Sequence, residues 1–475
     1  MANENPNETV RVIVQGFRPG VDLGAEVERE GGKNGKALSL VKGFSAEMPA
    51  AKALELAENP DVKWVSIDAP MVPAAKVDDG GIQVDRLATV YPLAVEADKV
   101  WNGPAHLTGA GVNVALLDSG ITGLDHAQGA AQAANKSLEQ RLETSVNFDT
   151  HTTSFDRDGY GHGTHVAGII ANDGTDSQGR YIGIAPGAGL VNVKVSDDKG
   201  MAYVSEVISG LDWAIQNKST YNIRVVNLSL VSTVPESYRT SPLDAAVESA
   251  WLAGIVVVVS SGNSGAESML YPPANDPFVI TVGAVDTNGT AGVSDDVIPS
   301  WSSYGKTQDG FSKPEVAAPG RKTVSNLASR GAVLAKELPD RIVDGHFFRL
   351  SGPSMAAPVV SGIAALVLQA HPNWTPDQVK AALMATARPL ASQGSGKGEV
   401  NALAAVSMAS PGYANQDVPL NIAVSALVGT PTFNSASWNS ASWNSASWNS
   451  ASWNSASWNS ASWNSSASLS SAFPD

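Results

Sequence analysis

Between residues 112 and 282 the chain alternates short, mainly apolar, β-rich runs with stretches of helical periodicity, and this alternation restricts the fold more than any other feature. The runs are residues 112–117, 190–195, 225–230, 255–259 and 279–282. These β-rich, mainly apolar runs read as buried strands, covered on both faces. Helical stretches at 164–172, 204–217 and 242–253 fall between the runs, and 375–387 opens with Thr375, Pro376 and Asp377 as a helix start. Strand alternating with helix means an α/β domain built on a mainly parallel sheet. In such sheets, chemistry gathers outside the carboxyl ends of the strands.

A smaller pattern precedes this one. Residues 9–68 read as strand 9–15, helix near 21–31, strands 37–41 and 44–48, helix 50–58 and strand 62–67. That βαββαβ order is a split βαβ unit, marginal alone at roughly 60 residues. Residues 71–92 contain Pro, Gly and Asp without sustained periodicity, as expected of an exposed connection open to processing. The first nine residues are polar and lack the apolar core of a signal peptide, and no apolar run is expected to reach transmembrane length.

A formal net charge of −15 argues against a nucleic-acid or anionic-membrane partner, since both require basic patches. The absence of cysteine excludes disulfides and thiolate zinc sites. After about residue 409 the composition changes, and residues 434–463 repeat Asn-Ser-Ala-Ser-Trp six times. A period of five gives neither a strand nor a helix a continuous apolar side, so this tail cannot build an ordinary core. It reads as a low-complexity tail or as indoles presented for carbohydrate or surface contact.

Residues 349–366 place Ser354, after Gly352 and Pro353, at the start of a helix apolar enough to be fully buried. Pro358 is expected about one turn in, where first-turn N–H groups have no helical partner to lose. A serine there meets free N–H groups and the positive end of the helix dipole, although it could equally cap a core helix. The 112–117 run ends in Asp118, Ser119 and Gly120, a carboxylate at a strand end or a simple turn cap. Residues 158–168 read Asp-Gly-Tyr-Gly-His-Gly-Thr-His-Val-Ala-Gly, with His162 opening a helix and His165 one turn on. Their spacing, with no Glu after His162 and no third ligand, fits zinc poorly, and His165 is expected to pack within the helix. Residues 260–265, Ser-Ser-Gly-Asn-Ser-Gly, follow another run and form a turn that can aim the Asn263 amide at an oxyanion.

Taken together, Asp118, His162 and Ser354 follow the order Asp, His, Ser, and the chain resembles the subtilisin family of serine peptidases from about residue 95 to 409. Residues 41–47 and 59–65 resemble the inhibitory propeptide of that family, and Lys-Pro-Glu-Val-Ala-Ala-Pro-Gly at 313–320 is a further family-like segment. The resemblance implies a ferredoxin-like propeptide at 1–76, a processing connection at 77–94, a peptidase domain at 95–409 and a linker with repeat tail at 410–475. It implies catalytic Asp118, His162 and Ser354, with Asn263 and the Ser354 N–H binding the oxyanion. Substrate would lie extended against residues 228–231, with Ser229, Leu230, Val231, Gly262 and Leu270 lining its site. Polypeptides are the implied substrates, the propeptide an intramolecular inhibitor, and the location extracellular. No cofactor is needed for the chemistry; a structural calcium is conceivable at 172–179, near Asp173 and Asp176. Two departures stand out: Pro353 replaces the family threonine, and Val231 and Ser232 replace glycines, which narrows the groove. The rival reading is a catalytically silent scaffold that binds surfaces through its tail.

Overall fold

The computed structural model describes residues 6–16, 22–38, 43–67, 82–122, 135–151 and 157–434. Residues 71–81 of the connection expected at 71–92 lie outside these residues, as does all of the tryptophan repeat beyond Asn434. The other half of the connection is described and is not wholly exposed, since Thr89 is buried and Tyr91 joins the second unit's core. The described residues fall into two compact units that divide near residue 80.

The first unit runs β1 (Thr9–Gly16), α1 (Leu23–Arg29), β2 (Lys33–Leu38), β3 (Gly43–Pro49), α2 (Ala50–Ala57) and β4 (Val62–Ile67). Its strands lie in the order β2-β3-β1-β4 with every pair antiparallel, the ferredoxin-like arrangement. Val12 and Val14, on one face of β1, meet Ala46, Met48, Val27, Leu56 and Val62 in a single small core. Asp22 caps α1 by accepting from the Ala25 N–H at 3.1 Å. β2 starts four residues before the expected 37–41. It is an edge strand carrying the exposed residues Lys33, Gly35 and Lys36, so it has no apolar alternation to read.

The second unit is built on a seven-stranded sheet: β5 (Asn113–Asp118), β6 (Leu142–Asn147), β7 (Gly189–Lys194), β8 (Ile223–Leu228), β9 (Val256–Ser260), β10 (Ile280–Val285) and β11 (Val316–Pro319). The strand order is β11-β10-β9-β8-β5-β7-β6, and all neighbours are parallel. β5 is central, with β8 to β11 in chain order on one side and β7 and β6 on the other, so the strand order reverses at β5 and the crevice is expected at its carboxyl end. The five anticipated runs are five of these strands. β6 was not anticipated because it is a half-buried edge of mixed sequence, and β11 because it is only four residues long.

Helices α3 (His162–Ala171), α4 (Val204–Gln216), α5 (Pro242–Leu252), α6 (Pro353–Ala370) and α7 (Pro376–Thr386) are the longest among the unit's described residues. Every residue of α3 is buried, as is α5 after Pro242, and α6 is buried except at Ser354, Gln369 and Ala370. By length and composition α6 could cross a membrane, which corrects the expectation that no apolar run is long enough; 83% of it is buried inside the unit, as a core helix is. A three-stranded antiparallel sheet, β12 (Thr323–Asn326), β13 (Ile342–Val343) and β14 (Phe347–Leu350), precedes α6 in the order β12-β14-β13. Pairing of Thr323 with Leu350 returns the chain to Gly320, whose carbonyl accepts from Gly352 N–H at 2.8 Å.

The segment 313–320 is structural. Glu315 is buried between Lys313 at 2.7 Å and Lys380 at 3.0 Å. The Lys380 ammonium also donates to the carbonyls of Pro277 at 2.6 Å and Val279 at 3.0 Å, so two internal cations tie β11 and α7 to the entry of β10. Packing continues past residue 409, where the linker was expected to begin. Leu420, Val424 and Phe433 join the main core, Phe433 meets Phe278 edge-on at 5.5 Å, and Glu248 accepts from the Asn421 N–H.

Candidate active site

Asp118 is the last residue of β5, and His162 is the first of α3. Gly161 caps that helix at φ +100°, a conformation that glycine adopts without steric cost. The next residue, Gly163, passes so close to the β5 exit that a Cβ would lie 2.2 Å from the Gly120 carbonyl oxygen. These two glycines let the first turn of α3 sit directly on the strand end. The result is a hydrogen bond of 2.7 Å between His162 Nδ1 and Asp118 Oδ1, with both side chains buried.

Several groups fix the pair. Asp118 Oδ1 also accepts from its neighbour's N–H, Ser119, at 2.8 Å. Asp158, buried beneath the turn, accepts from Gly161 N–H at 2.7 Å, Thr164 N–H at 2.8 Å and the Ser119 hydroxyl at 2.8 Å. The Ser119 oxygen in turn accepts from Gly163 N–H at 2.9 Å. Asp158 therefore clamps the first turn of α3 to the end of β5. Sequence reading passed over it, although it stands four residues before His162 in the same motif. Burial raises the Asp158 pKa, its hydrogen bonds opposing the rise. For His162, burial alone would lower the pKa, but the charge of Asp118 and their hydrogen bond outweigh it and the value is raised. His165 behaves differently: burial and the nearby His162 hold it down near 3, and Nε2 faces the carbonyls of Phe348 at 2.9 Å and Thr323 at 3.2 Å. It is a packed helix residue.

Ser354 is the second residue of α6, and Pro353 occupies the first helical position, where a missing N–H costs nothing. Pro358 is the sixth residue of the helix, deeper than the sequence reading placed it. Its absent N–H would have bonded to the Ser354 carbonyl four residues back. The Ser229 hydroxyl fills that role, donating to the Ser354 carbonyl at 2.9 Å, while the Ser354 hydroxyl donates to the Ser229 carbonyl at 3.2 Å. Asn227 Nδ2 donates to Ser229 Oγ at 3.0 Å and Ser361 donates to Asn227 Oδ1 at 2.9 Å, so β8 and α6 are laced together around the serine. α6 also packs on α3.

The remaining candidate residues lie on two neighbouring loops. Asn263, half-buried, stands just past β9 in a loop held by Ser264 N–H to Ser303 Oγ at 2.9 Å and Ser303 N–H to the Gly262 carbonyl at 3.0 Å. A Cβ on Gly262 would lie 3.7 Å from Val231 Cγ2, so the β8 and β9 exits are adjacent. Ser232 N–H donates to the Pro272 carbonyl at 2.7 Å and Glu236 N–H to the Leu270 carbonyl at 3.2 Å. Leu230, Val231, Gly262 and Leu270, all half-buried, are thereby gathered on facing segments. The calcium loop expected at 172–179 has its carboxylates engaged by nitrogen: Asp173 faces Arg141 at 3.6 Å, and Asp176 accepts from Ser137 N–H at 3.0 Å.

A buried acid holding an imidazole, and a serine at the start of a helix packed on the imidazole's own helix, are the parts for nucleophilic attack on an acyl group. The subtilase family model matches residues 109–410. Serine protease AprX of Bacillus subtilis is 38% identical over 63% of this chain and 66% of its own length. Subtilisin NAT of Bacillus subtilis subsp. natto is 32% identical over 80% of this chain and 84% of its own length. A solved cold-adapted subtilisin-like serine proteinase is 29% identical, covering 62% of this chain and 88% of its own, at a TM-score of 0.47. The chain belongs to the subtilase family and is a subtilisin-like serine endopeptidase.

Proposed function

We propose that the protein hydrolyses peptide bonds through an acyl-enzyme formed on Ser354, and that it is made as a self-processing, exported zymogen. The buried 2.7 Å contact between Asp118 and His162 carries the reading. Asp118 fixes the imidazole with its Nδ1 proton toward the carboxylate, leaving Nε2 to act as the base. Ser354 Oγ attacks the substrate carbonyl carbon as His162 takes its proton, and the carbonyl oxygen becomes an oxyanion. The Ser354 N–H, at the second position of α6 where no helical acceptor exists, and the Asn263 amide supply its hydrogen bonds. His162 then returns the proton to the leaving amine. Water, deprotonated by the same imidazole, releases the acid and restores Ser354.

Pro353 is compatible with this cycle because its ring suits the first helical position and the Ser354 N–H remains. The substrate backbone would run as an added strand beside residues 228–231, with Leu230, Val231, Gly262 and Leu270 shaping the contact. The first unit would act as the inhibitory propeptide, removed by cleavage between residues 77 and 94, and the repeat tail would serve surface contact. Incubation of the processed protein with a fluorophosphonate should label Ser354. Casein hydrolysis should disappear in Ser354→Ala, and N-terminal sequencing should find a shortened start in the wild type alone. An unlabelled Ser354 in processed protein, or casein hydrolysis that survives the substitution, would refute the assignment.

A further inference from the structure

Three side chains outside the crevice converge at metal-ligand spacing. Asp149 and His151 follow β6, and Glu206 lies in the first turn of α4. One donor atom from each lies within 4.8 Å of the others. His151 Nδ1 is 3.3 Å from Asp149 Oδ1 and 3.7 Å from Glu206 Oε1. Both carboxylates are buried, with side chains 0% and 5% exposed, and the imidazole is the half-open lid at 49%. The Tyr203 ring, stacked on His151 at 5.4 Å, holds the imidazole with Nδ1 turned inward.

We propose that Asp149, His151 and Glu206 form a site for a divalent transition-metal ion of the zinc class. Zinc bonds to imidazole nitrogen and carboxylate oxygen are about 2.0–2.2 Å long, so two ligands at a tetrahedral angle stand about 3.3–3.5 Å apart. The two distances to Nδ1 are close to that spacing before any ion has drawn the ligands in. One nitrogen and two carboxylate oxygens are a borderline donor set that calcium, with its six to eight oxygens, does not seek. The Tyr203 N–H, donating to Glu206 Oε2 at 2.9 Å, leaves the other oxygen directed at His151, and Thr150 N–H supports that oxygen at 2.9 Å. The Thr150 hydroxyl, now 2.8 Å from Oε1, would turn away to admit the ion. A bound ion would tie the segment after β6 to the start of α4, and water would complete its coordination on the exposed side.

The proposal does not draw on the catalytic reading, and its test does not measure proteolysis. The full chain, stripped with EDTA and dialysed, is titrated calorimetrically with ZnCl₂ and separately with CaCl₂, and its melting temperature is followed with each. The wild type should take up one zinc ion saturably and melt higher with zinc. His151→Ala, a change at an exposed ring, should weaken that uptake at least tenfold and abolish the zinc-dependent rise. Equal zinc uptake by wild type and His151→Ala, no saturable uptake by the wild type, or calcium uptake indifferent to the substitution would each overturn it.

Discussion

Ser229→Ala tests the link between a helix-interior proline and the serine at the helix start. Pro358 removes the N–H that the Ser354 carbonyl would otherwise accept, and the Ser229 hydroxyl supplies the replacement at 2.9 Å. Removing that hydroxyl leaves the Ser354 carbonyl without this donor and deprives Asn227 Nδ2 of its 3.0 Å acceptor, in a region where Asn227 and Ser361 are fully buried. Each buried group left unpaired costs about 1–3 kcal/mol, so Ser229→Ala should lower the unfolding free energy by about 2–4 kcal/mol. Pro358→Ala restores a helical N–H opposite the same carbonyl. In the Ser229→Ala background it should return about 1 kcal/mol, and in the wild type, where the carbonyl is already served, clearly less. Urea unfolding of the four proteins gives the coupling directly. If Pro358→Ala has the same effect in both backgrounds, or Ser229→Ala lies within about 0.5 kcal/mol of wild type, the hydroxyl is not standing in for the missing N–H. Turnover should fall as well with little change in KM, because the serine backbone loses a tether, and misplacement by about 1 Å can cost about a hundredfold.

Three further outcomes follow from the site and its supports. Asp158→Ala strips one acceptor from three buried donors, Gly161 N–H, Thr164 N–H and Ser119 Oγ–H, and should destabilise by about 3 kcal/mol after relief of the buried charge, as read by urea unfolding. Asp118→Asn removes the charge that raises the His162 pKa and leaves burial, which lowers it. A base works when neutral, so the acid limb of kcat/KM should move to lower pH while kcat drops by about 10⁴; a limb moving upward would contradict the cause given for the shift. Glu315→Gln leaves the buried ammonium groups of Lys313 and Lys380 without their shared anion and should cost about 3–5 kcal/mol, measured by chemical unfolding; a near-neutral result would mean that the backbone carbonyls alone hold both cations.

Sequence legibility followed burial. A strand covered on both faces, such as β9, is plain as an apolar run, whereas edge strands β2 and β6 are hard to place because their exposed or half-buried mixed side chains leave no period. Asp118 and His162 were legible because each sits at an element boundary, where a strand end and a helix start leave a local mark. Asp158, with partners three and six positions on, is within reach of a local reading. Ser229 and Asn227 carry their roles through partners 125–134 positions away in the chain, and nothing local distinguishes such residues. Pro358 illustrates the same limit, since its tolerance depends on a hydroxyl supplied by another element.

The nearly complete enclosure of α6 has a consequence for how this molecule ages. A helix embedded on almost every side cannot fray independently; exposing its middle means dismantling the sheet around it. Ser354 is therefore moored to a helix that cannot open alone, while Leu230, Val231, Gly262 and Leu270, proposed to meet substrate, are only half-buried. If Ser354 is the nucleophile proposed above, wear at the loops carrying those residues should alter what is cut long before the cutting group itself is lost.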